Sequence, residues 1–334
     1  MMSSVGDVQP HEAVVPASCA KTAPPNIRAV VRAGADFFLR CIDSLARLSG
    51  DDLVRTLIYH AMWMANVQHI VRSAANIQYG GFEEIPPDSA RAPVSALSLA
   101  HSLHMPYETV RRHVQALLKS GRCVRVGRGG FIVPAEVHMR PPALPAIMEG
   151  VPNLLRLMSD LKRAGFDFTP YHGVLANTTP MPPAGVVPAN IRPLVRAGIV
   201  LVLRGADTLG RMHPGGFVDG LIFTAIWTAN VRHITSAAEN LTFGGLDQVP
   251  PDEMRRPVTV NAIANSLRIP YETLRRAVNR MVRDGTAVRL EKGVIIPSRV
   301  FMTPAGQEAV RSCHRHVVSL VADIHQAGFD FRKY

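Results

Sequence analysis

The stretch MPYETVRRHVQALLKSG (105–121) returns as IPYETLRRAVNRMVRDG (269–285), and its spacing predicts a helix in both places. Pro106 suits a first turn, where a missing N–H costs nothing, and Gly121 supplies a left-handed stop. Val110, Val114, Leu117 and Leu118 fall at i, i+4, i+7 and i+8, which makes one buried stripe. Glu108, Arg112, Gln115 and Lys119 then point the other way, with Arg111 on the flank. The second version keeps the division: Leu274, Val278, Met281 and Val282 go inward, while Glu272, Arg276, Asn279 and Arg283 go outward. A helix with one apolar face and one Arg/Gln/Asn face suits the floor of a DNA major groove. There Arg pairs with guanine, and Asn or Gln with adenine.

The repetition extends outward from this helix. NIRAVVRAG (26–34) returns as NIRPLVRAG (190–198), AMWMANVQHI (61–70) as AIWTANVRHI (225–234), and GGFEEIPPD (80–88) as GGLDQVPPD (244–252). AGFDF (164–168) returns as AGFDF (327–331), the offset having dropped from 164 to 163 near Gly130. A fixed period with almost no gaps means tandem duplication of one unit. The chain therefore divides into a tail expected to be disordered (1–25), a first repeat (26–168), a Pro-rich linker TPYHGVLANTTPMPPAGVVPA (169–189) and a second repeat (190–334).

Each repeat reads alike. A first helix covers about 27–48 or 191–210, where Gly205 and Gly210 weaken the pattern, and a longer second one about 52–77 or 217–241. A Gly-Gly/Pro-Pro link, an extended Pro-Val step (93–94, 257–258) and a small helix follow, with Ser95 and Thr259 as N-caps. After the helix at 107 or 271 come two short strands with a Gly/Arg or Glu/Lys tip (122–133, 286–296), and a last helix (143–164, 304–327). The fold class expected is mainly α with small β-hairpins.

The 334 residues, 47% apolar and 6% aromatic, suffice for two units with real cores. No apolar run approaches the roughly 20 residues of a membrane span, so no membrane partner is expected. The N-terminus has no basic stretch followed by an apolar one, so a secretory leader is not expected either. The four cysteines lack close pairing or CxxC spacing, which fits reduced thiols in a cytoplasm. The formal net charge of +11 is concentrated: 91–133 holds seven Lys/Arg against Glu108, and 255–297 holds nine against Glu272, Asp284 and Glu291. The rest of the chain is close to neutral, so a polyanion is the natural partner of these two segments.

The order helix, short strand, helix, tight turn, helix, hairpin resembles the winged helix-turn-helix, and SLxxPYETxRRxVxxxxxxGxxVR is similar to the DNA-binding domains of bacterial GntR- and MarR-type transcription regulators. The resemblance covers about 52–134 and 217–297. It implies a recognition helix carrying Tyr107, Glu108, Thr109, Arg111, Arg112 and Gln115, and a second carrying Tyr271, Glu272, Thr273, Arg275, Arg276 and Asn279. It puts Arg125 and Arg128, with Arg289 and Lys292, on the wings, which usually meet phosphate or the minor groove. The implied partner is double-stranded DNA, and the implied agent a nucleoid-associated cytoplasmic regulator. The chain has no large effector domain of the GntR kind after the reader, and unlike MarR regulators it carries both readers in one polypeptide. The effector and any further homodimer stay open. His113, Gln115 and Lys119 stand where Ala277, Asn279 and Arg283 do, so non-identical half-sites are expected.

Other signals are read more plainly. Trp63, Asn66, His69 and Ile70 match Trp227, Asn230, His233 and Ile234, and are expected to form a packing seam in which Asn and His satisfy each other or a carbonyl across the repeats; a ligand pocket is the rival reading. Cys313, His314 and His316 spread around a helix and have no counterpart in the first repeat, so no metal is expected. No phosphate-binding loop, nucleophile elbow or matched carboxylate pair is present, so neither a cofactor nor enzyme activity is expected. Two rival roles are a plasmid-type replication initiator and a structural tandem winged-helix protein that does not contact DNA. The basic charge counts against the second.

Overall fold

A computed structural model describes residues 23–73, 75–140, 143–181, 186–234 and 236–334. Residues 1–22 of the expected tail lie outside the described residues. The chain is mainly helical with two small antiparallel sheets. In the first repeat α1 (Ile27–Ser49), α2 (Leu53–Val71) and the short α3 (Ala75–Gln78) precede β1 (Val94–Ser95), α4 (Ala96–Ser102) and α5 (Tyr107–Lys119). A hairpin of β2 (Val124–Val126) and β3 (Gly130–Ile132) and the long α6 (Ala143–Arg163) complete it. The second repeat runs α7 (Ile191–Met212), α8 (Gly216–Val231), α9 (Ala237–Thr242), α10 (Val260–Leu267), α11 (Tyr271–Arg283), the hairpin β4 (Val288–Leu290) and β5 (Gly293–Ile295), α12 (Ser298–Met302) and α13 (Pro304–Gln326).

The sheets keep the repeat with one difference. β3 lies between β1 and β2, whereas in the second repeat the β1 counterpart is a single bridge, Val258 to Val294. The lost residue near Gly130 is a hairpin tip one residue shorter. The N-caps fall as expected: Ser95 Oγ accepts from Ser98 N at 3.0 Å and Thr259 Oγ1 from Ala262 N at 3.2 Å.

The second helix of each repeat is shorter than its pattern suggests. α2 stops at Val71 and α8 at Val231, and a new helix starts after each break. At the second break Ser236 and Glu239 form a capping box, a start signal inside what reads as one continuous helix. By contrast α7 runs unbroken through Gly205, where a Cβ would stand 3.1 Å from the Phe38 ring. That glycine marks a close approach of the two repeats.

The first helices cross between repeats. Arg28 donates its backbone N–H to Gly244 O (2.7 Å), Nε to Leu246 O (2.8 Å) and Nη2 to Phe301 O (3.0 Å). Reciprocally, Arg192 N–H reaches Gly80 O (3.0 Å), and its Nε reaches Gly81 O (3.0 Å) and Phe82 O (2.9 Å). Arg32 caps Phe243 O and Asn240 Oδ1, and Arg196 bonds Asn76 Oδ1. The NIR…VR motif of each repeat thus reads the Gly-Gly loop of the other. Gly244 permits this, since a Cβ there would sit 2.9 Å from Pro25 O.

Both main cores draw on both repeats. One gathers Phe38, Met62 and Leu117 with Ile199, Phe217 and Val278; the other packs Phe37, Leu157 and Leu161 against Leu201, Leu320 and Phe331. The expected linker 169–189 is not a free tether over its described part. Thr179 N–H bonds Gly328 O (2.9 Å), Asn177 Nδ2 bonds Gln326 O (2.9 Å), and the Tyr171 ring lies 5.9 Å from that of Phe331. The repeated AGFDF, with Gln326 before it, is where these contacts land, and it also receives Asn26 and Asn190. Among the described residues no helix is long and apolar enough to cross a membrane.

Candidate nucleic-acid interface

α4 and α5 meet at a tight turn, as do α10 and α11. Each turn contains one non-glycine residue with positive φ, His104 (49°) and Arg268 (53°). Both tie the turn to the long first helix of the other repeat. His104 Nδ1 lies 2.7 Å from Asp207 Oδ1, and Arg268 Nε lies 3.4 Å from Asp43 Oδ1. Gly121 and Gly285 end α5 and α11 with φ of 66° and 72°, the left-handed stop expected.

The inward stripes are as the spacing predicts: Val110, Val114 and Leu117, and Leu274, Val278 and Met281, are buried. Tyr107, Glu108, Arg111, Arg112, Gln115 and Lys119 are exposed, as are Tyr271, Glu272, Thr273, Arg275, Arg276 and Arg283. Thr109 and Asn279 are half-buried. His113 corrects the sequence reading. It is buried, as is Ala277 at the same register, because position i+3 from Val110 belongs to the apolar stripe. The difference between His113 and Ala277 therefore lies beneath the helices, not on their exposed faces. His113 points toward Asp52, 3.7 Å away, and burial lowers its pKa.

The basic charge is also partly structural. Arg91 and Arg255 are buried, with Nη2 on the carbonyls of Pro86 and Pro250. Arg122 pairs with Asp51 and covers the Tyr59 ring; Arg280 pairs with Asp219. On the exposed faces Arg111 bonds Glu108 (2.9 Å) and Arg275 bonds Glu272 (2.8 Å), which lowers the Glu272 pKa. Among the described residues Arg112, Lys119, Arg276 and Arg283 form no ion pair. Neither do Arg128 and Lys292, exposed at the hairpin tips.

The hairpins stand beside the exposed faces and differ in how their arginines are held. The Arg125 guanidinium lies 5.1 Å from the Phe131 ring centre. Val294 occupies that position in the second repeat, and Arg289 instead donates to Asn279 Oδ1 at 3.1 Å. α4 and α10, expected as small N-capped helices, also present exposed side chains. Leu97, Ser98 and His101, and Asn261, Ala262 and Asn265, are exposed on these helices. Leu97, at 55% exposure, is a large apolar residue left in solvent on α4.

Trp227 of the motif packs against Ile27 and Val31 of the other repeat, but the asparagines do not bond across the repeats. Asn66 Nδ2 donates to Ala92 O (2.8 Å) and Phe131 O (3.0 Å), while its Oδ1 accepts from Val133 N (2.9 Å). Asn230 does the same to Arg256 O, Val294 O and Ile296 N. Each asparagine pins its own hairpin to its own second helix. His69 is exposed and takes no part. The reason is distance along the helix: three residues separate Asn66 from His69, and only the first faces β3.

Searches of protein-family models, curated proteins and solved structures return no match.

Proposed function

We propose that this chain is a sequence-specific double-stranded DNA-binding transcription regulator, built as two tandem winged helix-turn-helix readers that act as a single-chain pseudo-dimer. α5 and α11 are the recognition helices, and the two hairpins are the wings. The observation that carries this is the shared register of the exposed faces: Arg112, Gln115 and Lys119 on α5 match Arg276, Asn279 and Arg283 on α11, with Arg128 or Lys292 beside them. Arginine and amide side chains on one helix face are the donors and acceptors that base edges require, and wing cations suit phosphate.

Ordinary readers of this kind obtain two copies by dimerising and therefore bind palindromes. Here the crossed first helices supply the pairing within one chain, and each helix is free to diverge. Gln115 against Asn279 and Lys119 against Arg283 give the two half-sites different preferences.

Selection of bound sequences from a random duplex pool at about 0.15 M salt tests the proposal. Two unlike motifs at a fixed separation of about one helical turn or its multiples are expected. Retention without enrichment would mean a phosphate-only, architectural role. No retention would end the DNA reading.

A further inference from the structure

One carboxylate interrupts each basic helix face at the same register. Glu108 is the sole acid of segment 91–133, and Glu272 takes its place in the second repeat. Both are exposed in the first turn of α5 and α11, about one turn ahead of Arg112 and Arg276. Each is held by the arginine three residues on. Arg111 Nε and Nη2 both reach Glu108 Oε2 at 2.9 Å. Arg275 Nη2 reaches Glu272 Oε2 at 2.8 Å, with Nε 3.2 and 3.1 Å from the two oxygens. Among the described residues Glu108 Oε1 accepts no bond.

Exposed pairs at this spacing add little stability, but they fix where the carboxylate sits. The faces around them have diverged, with Gln115 against Asn279 and Lys119 against Arg283, while Tyr-Glu-Thr and Arg-Arg have not. Against duplex DNA a carboxylate repels phosphate, so its favourable place is over a base edge. There it can only accept. In the major groove cytosine presents its N4 amino donor, guanine and thymine present acceptors, and adenine sets an N7 acceptor beside its donor. The N-terminal residues of a recognition helix are those that reach base edges.

Resting on the DNA reading above, we propose that Glu108 and Glu272 each accept a hydrogen bond from a cytosine N4 amino group. Both half-sites then share one C·G base pair beside the pair gripped by Arg112 or Arg276. Arg111 and Arg275 are positioning residues that aim the carboxylates. The diverged positions supply the bases by which the half-sites differ.

The test uses the full chain on the duplex it selects and on a copy in which 2-pyrimidinone, cytosine without its amino group, replaces the cytosine of the first half-site. Wild type should bind that copy about tenfold more weakly, and Glu108→Ala should bind the two duplexes equally. Glu108→Ala and Arg111→Ala should relax preference at that base pair alone, and Glu272→Ala at its counterpart in the second half-site. Glu108→Ala should also bind unselected duplex more tightly, because a charge that repels phosphate is gone. A carboxylate serving only the helix dipole would instead lower the melting temperature and weaken every duplex alike, which would overturn the proposal. Enriched half-sites without a shared C·G pair, or a C·G preference that survives Glu108→Ala, would overturn it while leaving the DNA reading intact. A wild-type selection that enriches nothing would end both.

Discussion

Arg28 donates Nε to the carbonyl of Leu246 at 2.8 Å, a bond from the first helix of one repeat into the loop of the other. A second bond of the same side chain reaches Phe301 O, and Arg192 makes the mirrored contacts with Gly81 and Phe82. The guanidinium is buried, and burial lowers its pKa to about 10, so it stays charged at neutral pH and serves as a fixed multiple donor. Arg28→Met leaves two buried carbonyls unpaired and should cost about 2–4 kcal/mol in urea unfolding. Because the arms cross, unfolding should remain a single transition in wild type. A curve with one repeat melting first would contradict the lock.

Asn66 offers a sharper test of local order. Its side chain satisfies three backbone groups around the first hairpin. Asn66→Leu fits the volume but strands all three, so a loss of about 3 kcal/mol or more is expected. Asn230→Leu should cost about as much. Hydrogen exchange should then speed up at Val133 or Ile296 more than in the long helices. Uniform loosening of the whole chain would mean the asparagines do not act through the hairpins.

The motifs that repeat most faithfully proved to be joints between elements. Asn26 and Arg28 of NIR grip AGFDF and the Gly-Gly loop, and Asn66 and Asn230 of the WxAN motif grip the hairpins. Periodicity made α5 and α11 legible, because their buried and exposed faces are set by 3.6-residue spacing alone. Glycine, capping and hairpin signals were legible for the same local reason. What could not be read was pairing across 100 residues or more. Nor does a charge count tell surface from interior: Arg91 and Arg255 are each buried on a carbonyl earlier in the chain, and the Phe301 ring covers Arg255. The crossing of the first helices likewise depends on which loop reaches which arginine, and spacing carries no information on that.

His138 gives a pH signature. Burial against Trp63, with ring centres 5.2 Å apart, pushes its pKa down to about 3. The unfolded chain, with an ordinary histidine near 6.5, binds the proton first as pH falls. Stability is therefore complete above about pH 6.5 and declines toward pH 3, by up to about 1.4 kcal/mol per pH unit for this one group. His138→Phe, the residue the second repeat carries at Phe301, should flatten the slope of unfolding free energy between pH 6 and 4 by that amount. An unchanged slope would show that His138 takes up its proton while folded.

On the DNA reading, Arg112 and Arg276 are free to grip a base, whereas Arg111 and Arg275 are engaged by Glu108 and Glu272. Arg112→Ala or Arg276→Ala should cost about 1–3 kcal/mol on the selected duplex and relax preference at one base pair. Equal loss on every sequence would make the residue a phosphate contact instead.

On the same reading, the Arg289–Asn279 bond separates the two proposed readers further. With one lone pair of its Oδ1 taken by Arg289, the Asn279 amide is held toward the hairpin, which restrains the two-bond pair with adenine. Gln115 is under no such constraint, since Arg125 lies over Phe131. Arg289→Ala should therefore do two opposing things. It should weaken binding on all sequences and reduce the salt slope by about 1, as loss of a phosphate contact does. It should also sharpen preference for adenine in the second half-site, because Asn279 is released. Arg125→Ala should show the first effect without the second. Measuring both variants against a panel of single-base changes at two salt concentrations distinguishes the effects. If Arg289→Ala leaves the second half-site as permissive as before, the bond does not restrain Asn279 on DNA.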